Sequence, residues 1–254
     1  MELPINAFKR GLTGGAPQIG LWSTLGNTNC AELCAGAGFD WLLLDGEHGT
    51  TEVVDILDQL RATQGSPTAI VVRPPCGDTT LIKRYLDIGA QTLMIPMVET
   101  AAQAREIVAA MRYAPQGVRG VAAITRAARW TRVKNYLRTA QQELCLITQI
   151  ESARALENLE AIAAVDGVDA LFIGPADLAA TMGHLGDSAH AEVMAAVENG
   201  IARARAAGKP VGLLTVDEKT ARRYLELGAQ FVAVGVDVTL LARATDELRA
   251  KFKP

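Results

Sequence analysis

The sequence predicts an α/β protein, a single (β/α)8 barrel of the TIM-barrel type spanning residues 1–254. Three observations carry this reading. Eight short apolar runs alternate with stretches of helical spacing, and that order predicts a parallel sheet which eight units can close. The runs are apolar without alternation, as in strands covered on both faces. Weak internal echoes, Gly89-Ala90-Gln91 and Gly228-Ala229-Gln230, each precede such a run. No stretch reads as an interdomain linker, and an open doubly wound sheet is the runner-up.

The first strand is 19–22, followed by a helix over 31–37 that Gly36 and Gly38 close. The second strand is 41–45, Trp-Leu-Leu-Leu-Asp, and helical spacing resumes in Val53, Val54, Ile56, Leu57 and Leu60. The third, 69–73, stops at Pro74-Pro75, because proline cannot extend a central strand. Helix 80–88, strand 92–96 and helix 101–111 follow. Residues 112–130 form the one long irregular piece, rich in Gly and Arg, and a loop of that length is expected to be a lid, a binding loop or an interface. A helix over 133–142 leads into the fifth strand, 144–150, and a helix over 153–164 into the sixth, 170–173. A polar loop precedes a helix over 191–207. The seventh strand is 211–214, and Asp217 caps a helix that ends at Gly228. The eighth strand, 231–234, and a last helix, 239–252, complete the count.

Composition narrows the function. The chain is 49% hydrophobic and 21% charged, with a net charge of -3. Such a balance does not attract nucleic acid or an anionic membrane. No apolar run approaches the roughly 18 residues of a membrane span, and the first ten residues lack a signal pattern. A cytoplasmic protein with neither nucleic-acid nor membrane partners is expected. Cys30, Cys34, Cys76 and Cys145 have no zinc-finger spacing and are expected to be free thiols.

In a barrel the C-terminal strand ends share one mouth. Strand two brings Asp45, Glu47 and His48 there, strand three Arg73, strand five Gln149 and Glu151, and strand six the turn Gly174-Pro175-Ala176 with Asp177. Carboxylates on neighbouring strands, Glu151 and Asp177, suit a hard divalent cation such as Mg²⁺ or Mn²⁺. Arg73 offers a positive fork for a carboxylate or an oxyanion, or for a plain salt bridge to Asp45 or Glu47. His48 has the chemistry of a general base, with Asp45 to orient its ring. The turn at 174–177 presents backbone N–H groups at a helix start, an anchor for a substrate carboxylate. None of the seven lysines ends a predicted strand, which argues against a Schiff base. No dinucleotide or nucleotide-phosphate motif occurs. His184 and His190 lack ligand spacing and read as surface residues. Metal, base, arginine and carboxylate anchor together suit cleavage of the C3–C4 bond of a 4-hydroxy-2-oxo acid through a metal-stabilised enolate.

At these residues the chain resembles the HpcH/HpaI family of class II pyruvate aldolases. The matching stretches are Gln18-Ile-Gly-Leu-Trp22, Ala35 through His48, Val72-Arg-Pro74, Arg119-Gly-Val121, Arg129-Trp130, Gln149-Ile-Glu151, Phe172 through Leu178, and Phe231 through Asp237. The resemblance implies a divalent metal cofactor (Mg²⁺, Mn²⁺ or Co²⁺) on Glu151 and Asp177. It implies His48 as base backed by Asp45, Arg73 on the developing oxyanion, and Gln149 beside the keto acid. It also implies the substrate carboxylate on the 174–176 backbone (Gly174, Pro175 and Ala176), and Leu214 on the aldehyde side. A homo-hexamer, a trimer of dimers exchanging the last helix, is expected too. The substrate it implies is a small 2-oxo acid such as 4-hydroxy-2-oxoheptanedioate, giving pyruvate and succinate semialdehyde. The chain departs from that pattern at Gly49-Thr50-Thr51, Pro75-Cys76-Gly77, Ser23-Thr24 and Thr215, around the mouth. The alternative substrates are 2-keto-3-deoxy sugar acids. A CoA-ester lyase would need a basic nucleotide groove that no tract supplies, and a barrel that only binds keto acids would need no base.

Overall fold

The computed structural model describes residues 1–253. In chain order the elements are α1 (Ala7–Gly11), β1 (Gln18–Ser23), α2 (Thr28–Ala35), β2 (Trp41–Asp45), α3 (Val53–Ala62), β3 (Ala69–Arg73), α4 (Thr79–Asp87), β4 (Thr92–Ile95) and α5 (Ala101–Met111). Next come α6 (Tyr136–Thr139), a 3-10 turn (Ala140–Glu143), β5 (Cys145–Ile150), α7 (Ala153–Glu157), α8 (Leu159–Ala163) and β6 (Ala170–Ile173). The chain ends with α9 (Pro175–Thr181), α10 (Ala191–Ala206), β7 (Val211–Leu214), α11 (Glu218–Glu226), β8 (Phe231–Val236) and α12 (Asp237–Ala250). The eight strands are parallel and close in sequence order, β8 pairing back onto β1. The predicted barrel stands.

Strand side chains divide between two apolar layers. Leu42, Leu44, Val72, Leu93, Ile95, Leu171, Ile173, Leu213 and Val232 pack outward against the helices. Trp41, Leu43, Val71, Met94, Ile147, Phe172 and Phe231 fill the barrel. The floor is sealed by α1, a helix too short to show a period in the sequence. Its Phe8 meets Trp41 and Phe231 edge-on, at ring-centroid distances of 5.8 and 5.4 Å. Gly20 makes room for this filling: a Cβ there would lie 2.1 Å from the Trp41 indole.

Three expectations are corrected. The helix over 133–142 shrinks to α6 and the 3-10 turn, because residues 129–131 and Asn135 take left-handed backbone conformations. The helix over 153–164 is broken at Asn158 into α7 and α8. The long loop is no lid. Its own Arg119 is buried, donates to Asp87 at 2.7 Å and stacks on Tyr113. Arg126 donates to the carbonyls of Ile88 and Leu60. These bonds clamp the loop along the ends of α3 and α4. Strand register then positions the mouth: Asp45 pairs with Arg73 across β2 and β3, and Ile150 with Ile173 across β5 and β6. Glu151 and Gly174 therefore leave the barrel side by side.

Candidate active site

A cavity of about 540 Å³ opens at the C-terminal ends of the strands. Its lining includes Asp45, His48, Arg73, Gln149, Glu151, Gly174, Pro175, Ala176, Asp177 and Leu214, so every expected site residue is brought together. Among the described residues no lysine lines it. A second cavity of about 500 Å³ lies at the opposite end, between Lys9, Arg112, Asp169 and Lys209, and gathers no buried carboxylates.

The buried centre of the mouth is an ion pair. Arg73 donates through Nε and Nη2 to the two oxygens of Asp45, at 2.9 and 2.6 Å, a bidentate fork. Trp22 Nε1 donates to Asp45 Oδ2 at 3.0 Å, and the Trp22 ring lies 4.7 Å beneath the guanidinium. Burial alone would raise the Asp45 carboxyl, but hydrogen bonds and charge from Arg73, with the Trp22 N–H, hold it below its usual value.

This corrects the expected role of Asp45. Its carboxylate accepts from the backbone N–H groups of Glu47 and His48 at 2.9 and 3.4 Å and makes no contact with the imidazole. In this structure Asp45 holds the loop that carries His48 and forms no hydrogen bond with its ring. The acid beside the ring is Glu47, with Oε2 3.7 Å from His48 Nε2 and 2.7 Å from Arg73 Nη1. That oxygen is buried with no donor aligned on it. Burial raises the Glu47 carboxyl, Arg73 and His48 oppose the shift, and Asp45 and Asp177 add to it. Both salt bridges the sequence offered to Arg73, from Asp45 and from Glu47, form; the approach of Glu47 to the His48 ring was not legible from spacing.

Glu151 is 2% exposed. Its Oε1 accepts from the backbone N–H of Met97 at 2.7 Å, and its Oε2 from Gln149 Nε2 at 2.8 Å. Met97 reaches it from a left-handed conformation, φ 55°. Burial pushes the Glu151 carboxyl up to about 7; the Met97 N–H opposes this, and Glu47 and Asp177 reinforce it. Gln149 also accepts from Arg73 Nη1 at 3.5 Å, so one amide links the cationic and acidic halves of the mouth.

The anchor at 174–176 is narrower than expected. Gly174 N–H is spent on the Ile150 carbonyl, and Pro175 has none. The N–H groups of Ala176 and Asp177, which head α9 and have no intrahelical acceptor, are left. Asp237, at the head of α12, accepts from Ser23, the Thr24 N–H and hydroxyl, and the Leu25 N–H, fixing the β1 end of the mouth. His184 and His190, expected to be unrelated surface residues, stack on each other in the loop at the rim.

A closed (β/α)8 barrel with ionisable groups converging at the strand ends is the architecture of an enzyme. The family model described as HpcH/HpaI aldolase/citrate lyase matches residues 18–244. The chain belongs to that family and is a carbon–carbon lyase, an aldolase. It is 59% identical to a hydroxypyruvate/pyruvate aldolase of Deinococcus radiodurans, over 98% of this chain and 90% of that one. It is 56% identical to a 4-hydroxy-2-oxo-heptane-1,7-dioate aldolase of Salmonella heidelberg, over 97% and 94%. A crystal structure of an HpcH/HpaI aldolase/citrate lyase family protein from Burkholderia cenocepacia superposes with a TM-score of 0.94 at 42% identity, covering 98% of this chain and all of the other.

Proposed function

We propose that the protein is a divalent-metal-dependent aldolase that reversibly cleaves a 4-hydroxy-2-oxo acid to pyruvate and an aldehyde. One observation carries the metal: Glu151, buried at the end of β5, shares the cavity with Asp177 from the end of the adjacent strand β6, and the neighbouring acids Glu47 and Asp177 add to the burial that raises its carboxyl. Such a cluster is short of positive charge, and its donors are all oxygen, which fits Mg²⁺ or Mn²⁺. Glu151 and Asp177 would hold the ion. Among the described residues the strand-end carboxylates do not bring three oxygens within 4.8 Å of one another, so water or substrate oxygens complete the set. When bound, the cation supplies Lewis-acid stabilisation of charge developing on the keto oxygen.

The chain's own groups supply the rest. The N–H groups of Ala176 and Asp177 hold the substrate carboxylate, and Gln149 flanks it. His48, exposed at the mouth, takes the proton of the 4-hydroxyl as the C3–C4 bond breaks. The bond's electron pair passes to the keto-acid fragment, which becomes pyruvate on protonation at C3. Arg73, fixed by Asp45 and Glu47, faces the developing oxyanion. Leu214 lines the side on which the aldehyde departs.

A specific observation favours hydroxyaldehydes over succinate semialdehyde as the second product. Among the described residues Arg73 is the only Lys or Arg lining the cavity, and it is committed to Asp45 and Glu47. A distal substrate carboxylate would find no free cation among them. Thr24, Ser188, Thr215 and Thr220 offer hydroxyls instead. The second reading is therefore a 2-keto-3-deoxy sugar acid, and of the two alternatives the observation favours deoxyrhamnonate, because 2-dehydro-3-deoxyglucarate carries a distal carboxylate of its own.

The test is pyruvate release, coupled to lactate dehydrogenase, from 4-hydroxy-2-oxoheptanedioate and from a 2-keto-3-deoxy sugar acid. Activity should vanish in EDTA, return with Mg²⁺, Mn²⁺ or Co²⁺, and be absent in Glu151→Ala. Activity indifferent to EDTA would sink the metal mechanism.

A further inference from the structure

The loop between α9 and α10 holds a cluster that the reaction does not use. His184 and His190 stack with ring centroids 3.6 Å apart and planes 17° from parallel. His184 Nε2 lies 2.9 Å from Glu192 Oε2. His190 caps α10: its Nδ1 accepts the Glu192 backbone N–H at 3.3 Å, leaving Nε2 as its free ring nitrogen. Ligand atoms from these three residues all lie within 4.8 Å of one another, and among the described residues no other trio of His, Cys, Asp or Glu does so.

A series of backbone turns carries these side chains. His184 N–H donates to the Ala179 carbonyl at 2.8 Å, Asp187 N–H to the His184 carbonyl at 2.9 Å, and His190 N–H to the Asp187 carbonyl at 3.2 Å. A helix cap accounts for His190 Nδ1, and a hydrogen bond to His184 accounts for Glu192. Neither accounts for the stacking of a second imidazole on the first.

We propose that His184, His190 and Glu192 form a second cation site, separate from the carboxylate centre and selective for a borderline transition ion such as Zn²⁺. Two imidazole nitrogens and one carboxylate oxygen are donors that Zn²⁺ accepts readily and Mg²⁺ does not. Water would complete the coordination. Imidazoles diverge from a shared ion, so binding opens the stack, and the partly exposed side chains leave room for it. The site borders the substrate cavity, since Ser188, Ala189 and Met194 line the mouth. An ion there ties α10 to the far end of α9, the helix whose head carries Asp177. The proposal does not depend on the role given to Glu151.

The experiment uses full-length protein without an oligohistidine tag. It is stripped with EDTA, equilibrated with Zn²⁺ alone or Mg²⁺ alone, gel-filtered and assayed for bound metal by mass spectrometry. A Glu151→Gln variant should bind no Mg²⁺ and still retain one equivalent of Zn²⁺. Adding His184→Gln and His190→Gln should remove that equivalent. Glu192→Gln, a change at an exposed position, should by itself weaken Zn²⁺ binding at least about tenfold, and melting curves confirm that each variant is folded. Failure of Glu151→Gln to hold Zn²⁺, or undiminished Zn²⁺ in the histidine variants, overturns the second site. Mg²⁺ still bound by Glu151→Gln would instead overturn the carboxylate centre and leave this site standing.

Discussion

At the scale of single residues, Glu151 is the acid of the mouth displaced furthest from its behaviour in water. Its carboxyl stands at about 7 against an ordinary 4.5. Between those values the native chain keeps a proton that the unfolded chain has released, so stability of the metal-free protein falls as pH rises through that window. The displacement corresponds to roughly 3 kcal/mol, fully expressed above about pH 7. We therefore expect EDTA-treated wild type to lose melting temperature between pH 5 and pH 8 relative to Glu151→Gln. Parallel pH profiles for the two proteins would contradict this. The position of Glu151 was legible in the sequence because it ends an apolar strand. Its neighbour Asp177 was legible as well, because β6 follows β5; the Met97 N–H and the approach of Glu47 were not, because they depend on how the chain turns beyond β4 and β2. The same limit applies to Asp45. The sequence offered both His48 and Arg73 as partners, and only the register of β2 against β3 decides for Arg73.

At the scale of elements, the site is set by how β5 and β6 turn into α7 and α9. Gly174 has ordinary backbone angles, φ -95° and ψ 95°, so conformation does not demand glycine. Space does: a Cβ there would lie 2.7 Å from Glu151 Oε2 and 2.8 Å from its Cβ. Gly174→Ala should push the carboxylate aside and weaken Mn²⁺ binding by more than about tenfold while leaving the fold intact. Isothermal titration reads this directly, and an unchanged affinity would show that Glu151 does not need its present place. The strands were legible because each is a continuous apolar run, and the long helices because their periods are clear. The element that escaped was α1, at five residues, and of α9, at seven, only the start at 174–177 was legible. Neither is long enough to display a helical period. The helix expected over 133–142 failed for the opposite reason, a plausible local pattern overridden by the clamp of the preceding loop.

At the scale of the whole molecule, the barrel leaves one element without a complete partner. Of the residues in α12 only Asp237 is buried, while Val238, Leu240, Leu241 and Leu248 are exposed, as is Phe252 just beyond it. An apolar helix face of this kind marks an interaction surface. We propose that it packs against another subunit, in keeping with the exchanged helix of a hexamer. Leu241→Asp combined with Leu248→Asp should then lower the mass measured by light scattering, and an unchanged mass would remove α12 from the interface. The order of strands in the ring was legible, because successive βα units leave few alternatives. The contact surface of α12 was not, since apolar spacing alone does not say what a helix packs against. Closure of the ring has a consequence for biosynthesis. The partner of Gln18 is Phe231, so the first strand keeps one open edge until nearly the whole chain has been translated. At about 5–20 residues per second, the ribosome leaves that edge and the indole of Trp41 unsealed for on the order of ten seconds or longer. For that interval the nascent chain has the properties of an unfinished sheet, and it is then that chaperones have the most to shield.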